Sequence, residues 1–180
     1  MEAPSQSEPP FFPTPSALLT FLAPDGRPRG IPVGWVGIVC SRPSRLSLSF
    51  QCRGGLKCDF LPTGDFAINL PTDAHLAQVG FLERLADENF DILTEPGFSL
   101  TRGQVAEAPL IIECPVQVEC RKGSVQSRFD HYVVSGEVAC VHLGERCYGA
   151  DRPVNLCRLD PFTALRRLFG GSGQPTLQQV

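Results

Sequence analysis

The chain has 180 residues, 42% of them apolar, a formal net charge of −3 and a sequence pI near 5.6. That is one domain's worth of chain with enough apolar content to fill a core, which excludes a disordered chain and a fold dependent on disulfides. No run reaches the roughly 18–20 apolar residues of a membrane helix, and MEAPSQSEPPFFPTPS at the N-terminus lacks the charged and apolar regions of a signal peptide. The expectation is a cytoplasmic protein with neither a membrane nor a nucleic acid as partner.

Residues 1–14 are rich in proline and read as an extended arm that leads into the first strand. Ala17–Ala23 is a short apolar run that ends in the turn signal Pro24-Asp25-Gly26. Ile31–Val39 reads as the next strand, with Pro32 near its start, where a missing donor is tolerated. Arg45–Phe50 alternates apolar and hydroxyl side chains with period two, the mark of a strand with one wet face. Asp65–Leu70, Leu110–Cys120 and His131–Leu143 read as three further strands, with Lys122-Gly123-Ser124 in the link between the last two. Helical periodicity is confined to Leu56–Leu61, Asp73–Leu85 and a segment around Phe162–Leu168, and Thr72-Asp73 supplies a cap for the middle one. Residues 171–180 read as a loose polar tail.

Six or so antiparallel strands with two or three short helices predict a mostly β, small closed or partly closed barrel over residues 15–170. Alternating βαβ units are missing, and so are G-x-G-x-x-G and G-x-x-x-x-G-K-[S/T]. Rossmann-type dinucleotide binding and P-loop phosphoryl transfer are therefore poor candidates.

The eight cysteines hold no Cys-x-x-Cys; Cys52/Cys58 and Cys114/Cys120 each have five residues between them. Cys114, Cys120 and Cys140 sit in strand-like runs, where a reduced thiol acts as a small hydrophobe. His75, His131 and His142 share no ligand spacing, so no metal site is expected.

Residues 26–58 hold Arg27, Arg29, Arg42, Arg45, Arg53 and Lys57 and no Asp or Glu, in a chain with 19 acids. Cations kept from carboxylates beside a Gly-Gly turn suit a phosphate, because glycine lets backbone N–H groups converge and Arg or Lys adds charge-assisted hydrogen bonds. The alternative is a solvated basic face.

Four segments in order resemble the flavin-reductase-like family of FMN-binding split barrels, which includes flavoredoxin-type proteins. They are residues 15–50, which look like the family's opening hairpin and Ser-x-x-Pro turn, here Ser41-Arg42-Pro43; TGDFAINLP at 63–71; AEAPLIIECPVQVEC at 106–120; and HYVVSGEVACVHL at 131–143. The resemblance implies a six-stranded antiparallel split barrel of Greek-key character that forms a homodimer, with FMN in a groove at the interface. It places the flavin ring along Val36, Gly37, Ile38 and Val39. Ser49, Phe50 and Gln51 would lie near the ribityl chain, and Arg53, Gly54, Gly55 and Lys57 would form the phosphate loop. Trp35, Phe11 and Phe12 are the candidate dimer contacts. No catalytic acid or base is nominated.

The chain departs from the family pattern at several positions. Cys40 stands where Ser is frequent, Gly55 or Leu56 where a hydroxyl is frequent, and Arg84–Phe90 lacks the usual Ser-Gly and Lys. A late Gly-Gly-x-Tyr survives only as Gly170-Gly171. The implied function is transfer of electrons from NAD(P)H through FMN to a free flavin, ferric iron or a redox protein. The alternatives are a non-enzymatic FMN electron carrier and a cofactor-free interaction barrel.

Overall fold

The structure, a computed structural model, describes residues 16–51, 59–85 and 96–148. The arm, the tail, the segment around Phe162–Leu168 and the first half of the Leu56–Leu61 helix lie outside these residues. In chain order the strands are β1 (Ala17–Leu22), β2 (Pro28–Val33), β3 (Trp35–Ser41), β4 (Ser44–Gln51), β5 (Phe66–Leu70), β6 (Leu100–Arg102), β7 (Pro109–Ile111), β8 (Val116–Arg128) and β9 (His131–Leu143). Helix α1 (Leu76–Leu85) follows a 3-10 turn at Asp73–His75, which the expected Thr72 caps, its N–H donating to His75 Nδ1 at 3.1 Å.

Seven strands form one antiparallel sheet in the order β2-β1-β5-β8-β9-β4-β3, and β6 and β7 form a separate hairpin. The main sheet has seven strands rather than six because Ile31–Val39 is two strands, broken by a bend at Gly34. β2 and β3 are the opposite edges of the sheet, yet Gly34 alone joins them. Cα atoms two residues apart are separated by at most about 7 Å, so the edges must meet there. The sheet is therefore rolled into a barrel with an unpaired seam, a split barrel.

Two other expectations are corrected. Leu110–Cys120 is interrupted by a turn in which the Cys114 N–H donates to the Ile111 carbonyl, at 3.2 Å, ahead of Pro115. Lys122-Gly123-Ser124 is no link but part of β8, in an irregularity of register between Lys122 and Val125. The bulge absorbs the turn-like residues without ending the strand. The Pro24-Asp25-Gly26 turn forms as expected, with Gly26 at φ +77° and Asp25 Oδ1 accepting from the Arg27 N–H at 3.0 Å.

Alternate residues of β1 face two cores. Leu19 and Phe21 point into the barrel with Ile31, Leu48, Phe66 and Val134, and Phe60 plugs it. Leu18 faces outward into a second cluster with Val79, Leu82 and Phe98. A buried polar set ties that outer layer on: Asn69 Nδ2 donates to Thr20 Oγ1 at 2.9 Å, and Asn69 Oδ1 accepts from the Ile111 N–H at 2.9 Å. Cys114 and Cys120 are buried and free, and burial pushes both thiols up to about 12, so they pack as hydrophobes.

Lys122 Nζ donates to the carbonyls of Phe60, Leu61 and Thr63 at 2.9, 2.6 and 2.7 Å, over the Phe60 ring. Burial lowers its pKa, and the three carbonyls take up all three of its donors. Glu119 is fully buried and holds segment 104–106 to β8. It accepts from the N–H groups of Gln104, Val105 and Ala106 at 2.9, 2.8 and 2.6 Å. Burial alone would raise its pKa, but the Ala106 N–H, His142 and the other two N–H groups outweigh it and hold it at about 2.

Two outcomes are expected. Gly136 is where a Cβ would overlap the Phe66 ring, so Gly136→Ala should lower the urea midpoint by an amount equivalent to about 1–3 kcal/mol. Glu119 is depressed from 4.5 to about 2, so its contribution is present above pH 4.5 and lost as pH falls toward 2. Acid titration should therefore show Glu119→Gln less stable than the native chain at pH 7, with the gap closing across that window.

Candidate flavin site

β3 is an edge strand, so half of its backbone donors and acceptors have no strand partner among the described residues. Its pairing with β4 sets Trp35 opposite Ser49, Val36 opposite Leu48, Gly37 opposite Ser47 and Ile38 opposite Leu46. Ile38 is 86% exposed and Val39 58%. A bulge lies between Ile38 and Cys40, in the place where β3 turns back toward β4. An open edge with exposed aliphatic side chains and a glycine is unusual for a folded sheet, because such an edge invites pairing or aggregation. It calls for a cover.

β4 keeps the alternation read from the sequence. Leu46, Leu48 and Phe50 are buried, while Ser47, Ser49 and Gln51 are half-buried on the other face. Of the three residues expected near a ribityl chain, the Phe50 side chain is corrected: it packs into the barrel against Phe60, ring centroids 5.9 Å apart, leaving only its backbone for a ligand. Ser49 and Gln51 remain on the open face.

Gln51 pairs with His131 across β4 and β9. Its Nε2 donates to Asp130 Oδ2 at 2.5 Å, and Asp130 Oδ1 lies 2.7 Å from His131 Nδ1. These contacts, His131 first, hold the Asp130 carboxyl below its ordinary pKa. The His131 ring stacks on Trp35 with centroids 4.8 Å apart and planes 9° from parallel. β3, β4 and β9 thus share one corner, built from Trp35, Gln51, Asp130 and His131. Sequence reasoning missed Asp130 and His131, whose signal was an Asp-His pair opening the longest strand-like run. Phe129, just before them, is fully exposed at φ +55°.

Not all of the basic stretch is available for an anion. Arg29 pairs with Asp25 at 3.0 Å and Arg45 with Glu137 at 3.1 Å, acids that the sequence places outside residues 26–58. Arg53, Gly54, Gly55 and Lys57 lie outside the described residues, but the last described residue before them is Gln51, in the corner itself.

The family model described as the flavin reductase like domain matches residues 10–157. The chain belongs to that family. It is similar to flavoredoxin of Desulfovibrio vulgaris (Miyazaki F), with a TM-score of 0.79 and 23% identity over 91% of this chain and 87% of that one. It is also similar to the NADH:FAD oxidoreductase SgcE6 of Streptomyces globisporus C-1027, with a TM-score of 0.63 and 18% identity over 73% of this chain and 76% of that one. Among curated proteins, the uncharacterized protein YwrF of Bacillus subtilis is 24% identical over 152 residues, 78% of this chain and 74% of its own length. These likenesses show the split-barrel fold of a flavin reductase-like protein.

Trp35 is the sole tryptophan and reports on this corner. His131→Ala should shift its emission to the red and raise its quenching by acrylamide, with a loss of stability of about 1 kcal/mol or less for a half-exposed ring pair. Unchanged emission would mean that the stack does not persist in solution.

Proposed function

We propose that the chain binds FMN along the β3 edge and transfers electrons through it, from NADH or NADPH to a free flavin, ferric iron or a redox protein. One observation carries the reading: in a member of the flavin reductase-like family, the uncovered edge of Gly37, Ile38 and Val39, with Val36 half-buried against the core beside it, runs along the wet face of β4. A flat heteroaromatic ring suits such an edge, with aliphatic contact on its face and unpaired backbone groups for its polar rim. Bound FMN supplies the hydride and electron chemistry, and the chain's residues bind, orient and shield it from water. Ser49 and the backbone of Phe50 and Gln51 serve the ribityl chain. Arg53 and Lys57 hold the phosphate, with Gly54 and Gly55 letting backbone N–H groups turn toward it.

A second copy of the chain completes the groove, with Trp35 at the contact, since an isologous pair is the commonest solution for a soluble homo-oligomer. An FMN electron carrier that ignores pyridine nucleotides is the second reading, and the likeness to flavoredoxin favours keeping it.

Anaerobic titration separates the two. Bleaching of the flavin bands by NADH or NADPH alone supports the reductase, while bleaching only by a reduced protein or dithionite supports the carrier. A colourless protein that takes up no FMN overturns both. Replacing Arg53 and Lys57 with Ala should weaken FMN binding roughly 10- to 1,000-fold, two charge-assisted contacts being lost. Riboflavin, which has no phosphate, should bind as before, and salt should weaken FMN binding more in the native chain than in the variant. Sedimentation as a strict monomer at micromolar concentration would remove the shared groove.

A further inference from the structure

Three side chains that flavin binding leaves unused meet near the other end of the β8–β9 ribbon. Glu119, Cys140 and His142 present an oxygen, a sulfur and a nitrogen, all within 4.8 Å of one another. The register explains the meeting. Glu119 stands directly opposite Cys140, and His142, two residues further along β9, shares Cys140's face. Cys140 lies nine positions past His131, about 30 Å along the strand at ~3.3 Å per residue. This cluster is therefore separate from the flavin corner.

The chemistry of the three is that of a metal site. His142 Nε2 lies 2.5 Å from Glu119 Oε1, so an imidazole nitrogen and a carboxylate oxygen already face each other beside the Cys140 thiol. We propose that Glu119, Cys140 and His142 bind one borderline-soft divalent cation of the zinc type, with water as a fourth ligand. His142 binds the cation through Nε2 as the neutral imidazole with its proton on Nδ1, and Cys140 Sγ releases its proton to water on bonding the ion. With bonds of about 2.0–2.3 Å, a tetrahedral ion spaces its ligand atoms roughly 3.5 Å apart. Reaching that arrangement requires His142 and Glu119 to part slightly and Cys140 to close in.

Two features favour the site. Mixed thiolate, imidazole and carboxylate donors select zinc or cobalt over magnesium or calcium. The carboxylate is also held in place from behind: Glu119 Oε2 accepts from the Val105 and Ala106 N–H groups and Oε1 from that of Gln104, the kind of outer support that orients a ligand. Glu119 is fully buried while Cys140 and His142 are half-buried, so the ion has a way in past β9.

The test uses the full chain, stripped with a chelator and titrated with Co²⁺, then with Zn²⁺ in competition. One equivalent of Co²⁺ should give strong ligand-field bands of a four-coordinate ion at wavelengths beyond flavin absorption, and Zn²⁺ should bleach them. Cys140→Ser and His142→Gln change half-buried side chains and leave Glu119's hold on the backbone intact. Each should weaken Co²⁺ binding by at least the roughly 10- to 100-fold that loss of an outer partner costs, while Cys52→Ser should leave it unchanged. Thermal melting of the native chain should rise with Zn²⁺. Absence of Co²⁺ bands and of a Zn²⁺-dependent rise in melting, or an affinity in both variants unchanged from that of the native chain, would overturn the site. FMN uptake does not enter the readout, so the flavin assignment stands or falls separately.

Discussion

The passage from β2 to β3 through Gly34 alone is the constraint on which the rest of the molecule depends. Strand order makes these two strands the far edges of a seven-stranded sheet, and one residue cannot bridge the width of a flat sheet. The roll follows from connectivity before any side chain is considered. Packing then fills the tube that connectivity demands, with Phe21, Phe60 and Phe66 as its bulk. The rings of Phe21 and Phe66 both lie within 5.5 Å of Phe60, centroid to centroid.

The same constraint leaves the seam open. β3 has β4 on one side and, among the described residues, no strand on the other, so its polar backbone and exposed aliphatic side chains face outward together. In an ordinary sheet that would be a hazard. Here it lies beside the corner where Asp130 joins Gln51 to His131 and Trp35 covers the imidazole. The open edge and this polar corner thus lie side by side because the described strands do not close the barrel.

Much of this was legible from residue pattern. The Leu-Ser-Leu-Ser-Phe alternation of β4 gave its two faces correctly, and β9 runs from His131 to Leu143 as expected. What escaped is physically of one kind. Gly34 lies inside a continuous apolar run, where a bend leaves no compositional trace. Lys122-Gly123-Ser124 has turn chemistry, yet a bulge absorbs it. Asp25 and Glu137 neutralise arginines of a stretch that is acid-free only in one dimension. Glu119, Cys140 and His142 are brought together by a strand pairing, which no spacing along the chain encodes. The Arg53–Lys57 loop was proposed from charge and resemblance, and it lies outside the described residues.

Lys122 anchors the chain at Phe60–Thr63 from a strand far along the sequence. By gathering the carbonyls of Phe60, Leu61 and Thr63, it fixes the chain just downstream of residues 52–58, while β4 and the Asp130 contact fix Gln51 just upstream. The chain at Gln51 and the chain at Phe60–Thr63 are each pinned by a side chain from a distant part of the sequence, Asp130 for the one and Lys122 for the other. The position of Phe60, the ring that plugs the barrel, thus depends in part on how firmly a half-buried ammonium on another strand holds three carbonyl oxygens.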